Sequence, residues 1–259
     1  MRTILRRLLR VSEPVRAATK PGRRRLGPYD LRMPIYAIGD VHGCYRELLA
    51  AEAKVQADCR AVEKAIVVYL GDYIDRGPNS SLVLDHLSRD DHHDGLVRIP
   101  LCGNHDDAFL NFIRDPASSM AWLEFGGDAT LHSYGIDAAY TLRHGSPKSL
   151  ATIMSDTIPR RHIAFLEDLP ICLQAADYVF VHAGLKPGLP LDEQSDEDLM
   201  WIREPFLTSG PALPVTVIHG HTPVVDPQFG KNRIGIDTAC FATGRLTVLK
   251  VSAEGTRLL

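Results

Sequence analysis

The sequence is poor in paired cysteines, in long apolar runs and, beyond its first segment, in positive charge. Its five cysteines, at 44, 59, 102, 172 and 240, include no C-x-x-C pair. A disulfide framework and a thiolate zinc site are therefore excluded as organising features, and a reducing cytoplasm fits best. No stretch approaches the ~20 apolar residues of a membrane span. After residue 32 the chain has 19 basic against 30 acidic residues, a poor electrostatic match for nucleic acid. Carboxylates clustered within such a body would instead suit cations.

What is present is ordinary globular material, 45% hydrophobic and 24% charged. With 259 residues, roughly 70–75% of the unfolded surface can be buried without covalent staples. Residues 1–32 stand apart, with ten basic and two acidic side chains. On a helix, Ile4, Leu5, Leu8, Leu9, Val11 and Val15 share one side, and Arg2, Arg6, Arg7 and Arg10 the other. Such a basic amphipathic segment suits weak contact with an anionic membrane surface. Its arginines are also those of an organelle transit peptide, and a plain tail is a third reading. Residues 20–28, KPGRRRLGP, read as a linker. The expected organisation is a tail over 1–32 and one domain over 33–259.

Within that domain, short β-rich runs recur: IYAI (35–38), AIVVYL (65–70), LVRIPL (96–101), YVFV (178–181), VTVI (215–218), RIGI (233–236) and RLTVLKV (245–251). Several are almost continuously apolar, as strands covered on both faces are. Helical patterns intervene at 45–57 and 80–88. Alternation of this kind indicates an α/β fold. A helical stretch at about 106–170 reads as an insertion over the site.

Polar groups collect where these strands end. IYAI runs into Asp40 and His42, AIVVYL into Asp72, Asp75 and Arg76, and LVRIPL into Asn104 and His105. YVFV runs into His182, and VTVI into His219 and His221. Sites in α/β sheets assemble at the carboxyl ends of strands, and the adjacent glycines permit sharp turns and close approach. Five strands ending alike point to a shared site. Carboxylates, imidazoles and an amide favour manganese, iron or zinc bound through oxygen and nitrogen. Six or more such groups exceed the needs of one catalytic ion with an open position, so two divalent ions sharing a carboxylate are expected.

The ordered motifs G-D-V-H-G, G-D-Y-I-D-R-G, G-N-H-D, H-A-G and G-H-T-P resemble those of the calcineurin-like metallophosphoesterases. More narrowly they resemble the phosphoprotein phosphatase branch with its bacterial and phage members. W-L-E-F-G-G-D-A-T-L-H-S-Y-G at 122–135 is similar to the bacterial phosphatase-like members. The resemblance implies two mixed β-sheets packed face to face and flanked by helices. It implies Asp40 and His42 on a first metal, Asp72 bridging both, and Asn104, His182 and His221 on the second. A metal-activated hydroxide would attack phosphorus in line, with no phosphoenzyme. His105 would protonate the leaving group, Asp75 would orient His105, and Arg76, Arg203 and Asn104 would bind the phosphate.

The expected activity is hydrolysis of phosphoserine and phosphothreonine in proteins, with a phosphoprotein or phosphopeptide as partner. The alternative is a symmetrical dinucleoside tetraphosphate hydrolase, which shares most of these motifs. That group is expected to have alanine at the position of Asp75, so Asp75 favours the phosphatase. A non-catalytic phosphate sensor is the remaining class. Outside the motifs, Cys44, Cys102 and His219 read as buried packing residues. His92 and His93 read as part of a solvated acidic turn, and Asp237 as a support for its loop.

Overall fold

The computed structural model describes residues 22–60, 64–89, 91, 92 and 94–259. The amphipathic pattern at 1–15 and the reading of His93 lie outside them. The described chain opens with strand β1 (Arg25–Tyr29) and β2 (Ile35–Ile38), then helix α1 (Tyr45–Asp58) and β3 (Ala65–Tyr69). Helix α2 (Ser80–Leu87) leads to β4 (Leu96–Pro100). A helical stretch follows: α3 (Asn104–Arg114), a π-turn (Leu123–Gly127), α4 (Asp128–Ser133), α5 (Ala138–His144), α6 (Pro147–Thr157) and α7 (Arg160–Asp168). Then come β5 (Cys172–Ala175), β6 (Tyr178–Val181), α8 (Asp196–Trp201), α9 (Phe206–Ser209) and β7 (Thr216–His219). The chain closes with β8 (Gln228–Gly230), β9 (Arg233–Gly235), α10 (Cys240–Thr243), β10 (Val248–Ser252) and β11 (Gly255–Leu258).

The strands form two mixed sheets, ordered β1-β5-β6-β7-β9-β8 and β11-β10-β2-β3-β4. Strands β2, β3 and β4 run parallel, as do β6, β7 and β9. The continuous hydrophobicity of the strands follows from their two faces. Ile35, Ala37, Ile66, Val68 and Leu70 from one sheet meet Leu173, Phe180, Ile218 and Ile234 from the other. The alternate residues Tyr36, Ile38, Val67, Tyr69, Val179 and Val181 pack in a second cluster with residues of the flanking helices. Every second residue thus faces the partner sheet and its neighbours face helices. Helix α1 contributes Leu48, Ala51 and Val55 to that second cluster, the spacing of a helical stripe.

Two readings need correction. Residues 20–28 are not a simple linker, since β1 pairs parallel with β5 through Arg25–Cys172 and Leu26–Leu173. The tail expected over 1–32 therefore overlaps the sheet. Gly27 and Pro28, which suggest a loop, fall where the ladder shifts register between Leu26 and Tyr29, a bulge that tolerates both residue types. The run Arg23–Arg24–Arg25 pairs with Asp107, Asp168 and Asp196 in turn. In the acidic turn, Asp91 and Asp94 are exposed as expected, Asp94 pairs with Arg98, and His92 bonds the His86 carbonyl. Strands β5, β8 and β11 carry no strong sequence pattern and are not among the expected runs. Cys44 and Cys102 are buried, and all five cysteines are free. No helix among the described residues is long and apolar enough to cross a membrane.

One charged cluster is buried beneath β3 and β4. Glu52 of α1 accepts hydrogen bonds from Arg98, at 2.9 and 2.7 Å, and from Tyr69, and it pairs with His86. Burial alone would raise its pKa, but these partners prevail and hold it at about 2. Its contribution to stability is therefore complete above its ordinary pKa near 4.5 and is lost as pH falls towards 2. Glu52→Ala should cost about 1–3 kcal/mol in urea unfolding at neutral pH, because it leaves the buried Tyr69 hydroxyl without its acceptor and Arg98 with Asp94 alone. A loss below about 1 kcal/mol, the scale of an exposed pair, would show that the cluster does not stabilise the fold.

Candidate metal centre

The carboxyl ends of β2, β3, β4, β6 and β7 bring the expected residues together. Asp40, His42, Asp72, Asn104, His105, His182 and His221 are all buried, none more than 6% exposed. Asp72 lies at the middle. Its Oδ2 is 3.5 Å from His42 Nε2, 3.5 Å from His182 Nε2 and 4.0 Å from His105 Nε2. Its Oδ1 accepts the His105 backbone N–H at 3.0 Å. Among these side chains, two groupings have ligand atoms within 4.8 Å of one another, His42–Asp72–His105 and Asp40–Asp72–His182, and Asp72 belongs to both.

The backbone is distorted to make this possible. His42, Asp72, Asp75, Arg76 and His221 all have positive φ, between 42° and 71°. Such conformations cost non-glycine residues of order 1–3 kcal/mol each and persist only where surrounding structure enforces them. Asp106 supplies some of that enforcement: its carboxylate accepts the backbone N–H groups of Asp72, Tyr73 and Gly103 at 2.8–3.0 Å. Glycine is required where backbone lies against the ligands. A Cβ on Gly103 would fall 2.1 Å from Asp72 Oδ1, and one on Gly220 would fall 1.9 Å from Asp40 Oδ1.

The donor atoms fit cations. His42 Nδ1 donates to the Ile74 carbonyl at 2.7 Å and His182 Nδ1 to the Leu70 carbonyl at 2.8 Å. Both rings therefore aim an Nε2 lone pair inward, the arrangement by which outer partners orient metal-binding imidazoles. His182 Nε2 and His221 Nδ1 converge on Asn104 Oδ1 at 2.8 and 2.9 Å. Asp40 Oδ2 accepts the His221 backbone N–H, whereas its Oδ1 is buried without a hydrogen-bond partner. Burial lowers the pKa of His42 and of His221 to about 3, keeping both neutral as ligands must be. Burial, then Asp237 and Asp72, raise that of Asp40 well above the usual carboxylate range. Electron-rich atoms crowded in this way lack a positive partner, which two divalent ions held by Asp40, His42, Asp72, Asn104, His182 and His221 would supply.

A hydrogen-bonded imidazole–carboxylate pair stands beside this set. His105 Nδ1 donates to Asp75 Oδ2 at 2.7 Å. Asp75 is fully buried and is held by Trp122 Nε1 at 2.8 Å and Thr130 Oγ1 at 2.7 Å. Sequence reasoning missed the roles of Trp122, Thr130 and Asp106, although Trp122 and Thr130 lie in the motif at 122–135. Arg76 does not pair with Asp75; it donates to His42 Nε2 and to His105 Nε2, each at 3.0 Å. Arg203 is exposed at the rim, and its charge is felt by His182, His221 and Asp237. His219 is a packing residue, against Phe206 and near Arg233. Asp237 Oδ1 accepts the Ala239 N–H and shapes its loop, while its Oδ2 is buried without a hydrogen-bond partner.

The family model described as calcineurin-like phosphoesterase matches residues 33–244. This chain belongs to the calcineurin-like phosphoesterase family. The phosphoesterase is similar to the asymmetrical bis(5'-nucleosyl)-tetraphosphatase PrpE of Geobacillus thermodenitrificans, at 26% identity over 84% of this chain and 90% of the relative. It is also similar to serine/threonine-protein phosphatase 1 of Salmonella typhimurium, at 26% identity over 84% of this chain and 91% of that protein. A crystal structure named as a candidate diadenosine tetraphosphatase shares the fold with a TM-score of 0.61 and 20% identity, covering 92% of this chain and 97% of that one. The cold-active protein tyrosine phosphatase of a psychrophilic Shewanella species shares it with a TM-score of 0.55 and 16% identity, covering 93% of this chain and 83% of that one. The family and fold expectations hold, and the relatives fall on both sides of the phosphoprotein branch.

Asp72→Asn removes the charge common to both groupings. After loading with Mn²⁺ and desalting, elemental analysis of this variant should find less than half the metal of the unaltered protein. Full retention of metal would remove Asp72 from the shared position.

Proposed function

We propose that this phosphoesterase hydrolyses dinucleoside polyphosphates, using two divalent ions held at the carboxyl ends of its strands. The observation that carries this reading is likeness, over 84% of the chain, to relatives named as bis(5'-nucleosyl)-tetraphosphatases. Bound at Asp40, His42, Asp72, Asn104, His182 and His221, the ions would supply Lewis acidity at the phosphate and ready a water for attack on phosphorus. Manganese, iron and zinc all suit this donor set, and manganese is the ion proposed. Arg76 and Arg203, from opposite sides of the centre, would bind phosphoryl oxygens, for which a planar guanidinium is well shaped. Arg76 must then leave His105 Nε2, which becomes free to carry a proton. Asp75 keeps the other ring nitrogen protonated and the ring in place.

The phosphoprotein reading is the second, and the Asp75–His105 pair favours it. A serine alkoxide needs a proton to leave, whereas a phosphate group, with a pKa of about 6, leaves without one. Burial opposes the charged form of His105, but Asp72 and Asp75 raise its pKa above the ordinary value, the direction an acid requires. Such an acid is more useful for an ester than for an anhydride.

Two experiments separate these readings. With Mn²⁺ present, kcat/KM for diadenosine tetraphosphate should exceed that for a phosphoserine peptide, and the reverse order would restore the phosphoprotein assignment. His105→Asn should slow any phosphoserine hydrolysis by about 10²–10⁴-fold and diadenosine tetraphosphate hydrolysis much less. Equal losses on both substrates would contradict His105 as the acid.

A further inference from the structure

Three large aromatic side chains are exposed at the mouth of the centre. Phe125, Trp201 and Phe241 are 52%, 41% and 40% exposed. Each lies against a different imidazole of the site. The ring centroids are 5.3 Å apart for Phe125 and His105, 6.1 Å for Trp201 and His221, and 5.4 Å for Phe241 and His42. Phe125 and Trp201 also meet each other, edge to face at 6.3 Å, so they make one continuous wall. Phe241 lies apart from this wall against His42, and the Arg76 guanidinium sits 4.9 Å over its ring. Arg76 therefore links Phe125 and Phe241, bonded to His105 beside Phe125 and stacked on Phe241.

The placement of these rings is tied to the phosphate-binding arms. Phe125 lies in the π-turn Leu123–Gly127, in which Gly126 has φ +106°. A Cβ on Gly126 would come within 2.9 Å of Arg76 Cγ, and the Gly126 carbonyl accepts the Arg76 backbone N–H at 3.1 Å. Trp201 ends α8, two residues before Arg203. Large apolar rings left open to water beside a charged cleft are unfavourable unless a ligand covers them.

We propose that Phe125 and Trp201 form a stacking platform for an aromatic group joined to the phosphate chain, with Phe241 a second platform on the Arg76 side. This rests on the dinucleoside polyphosphate reading and deepens it, because such a substrate carries one base at each end of its phosphates. The π-face of any nucleobase stacks on an aromatic side chain, so the platforms select for the presence of bases rather than for their identity.

The test compares Phe125→Ala, Trp201→Ala and the double variant on diadenosine tetraphosphate. Loss of the wall should raise KM by about tenfold to a hundredfold, and Trp201→Phe should recover most of it. Inorganic tetraphosphate, which has the phosphates without the bases, serves as a competitive inhibitor whose inhibition constant should barely move. Weakening of that inhibition in parallel with KM would mean that the variants disturb the centre, and an unchanged KM in the double variant would equally overturn the platform. Failure of the polyphosphate reading looks different: the unaltered enzyme would leave diadenosine tetraphosphate intact while hydrolysing p-nitrophenyl phosphate. The platform would then be judged by KM for that aromatic ester, with a tenfold rise in the double variant expected and no rise refuting it.

Discussion

The rest of the structure answers to one electrostatic constraint: Asp40, Asp72 and Asp237 are buried close enough to perturb one another. Like charges about 4 Å apart repel by about 4 kcal/mol even at an effective dielectric of 20. Burial and the neighbouring Asp72 push the pKa of Asp237 up to about 6. Burial would also raise the pKa of Asp72, but the raised-pKa imidazole of His105 and the His105 backbone N–H it accepts help to lower it. A chain that only needed to fold would not collect these groups. Their arrangement makes sense around cations, and the inward lone pairs of His42 and His182 serve the same requirement.

The sandwich makes that arrangement rigid. Each strand that delivers a ligand is buried on both faces, one against the other sheet and one against helices. The loops that follow can then be forced into left-handed conformations at five site residues, with Asp106 clamping three backbone N–H groups beneath Asp72. Stability is concentrated in the sheets and helices, and strain in the turns they support.

The two flanks of the centre have different jobs. One flank holds the Asp75–His105 pair, locked by Trp122 and Thr130 from the helical stretch between β4 and β5. The other holds Asn104, His182 and His221 beneath Trp201 and Arg203. The buried donor groups sit at the strand ends, while Phe125, Trp201, Phe241 and Arg203 are exposed at the rim, where the proposed discrimination between substrates would take place. That division explains why relatives with different named substrates share the same scaffold.

The residues of the centre were legible in the sequence because each belongs to a short local pattern, an apolar strand ending in glycine beside Asp, Asn or His. The β2 and β6 boundaries were legible for the same reason, since strands covered on both faces announce themselves by uninterrupted hydrophobicity. Local patterns could not disclose partners far apart in the chain. Asp106, Trp122 and Thr130 became visible as supports only when the helical stretch folded back onto Asp75 and the Asp72 turn. The strand at 25–29 was hidden by its arginines, glycine and proline, whose meaning depends on Asp107, Asp168, Asp196 and a bulge supplied by the rest of the fold. Sequence determined which atoms can bind metal and phosphate, because that is a property of side-chain type. Tertiary structure alone decided which aromatic rings stand open beside them, because exposure is set by what the remainder of the chain leaves uncovered.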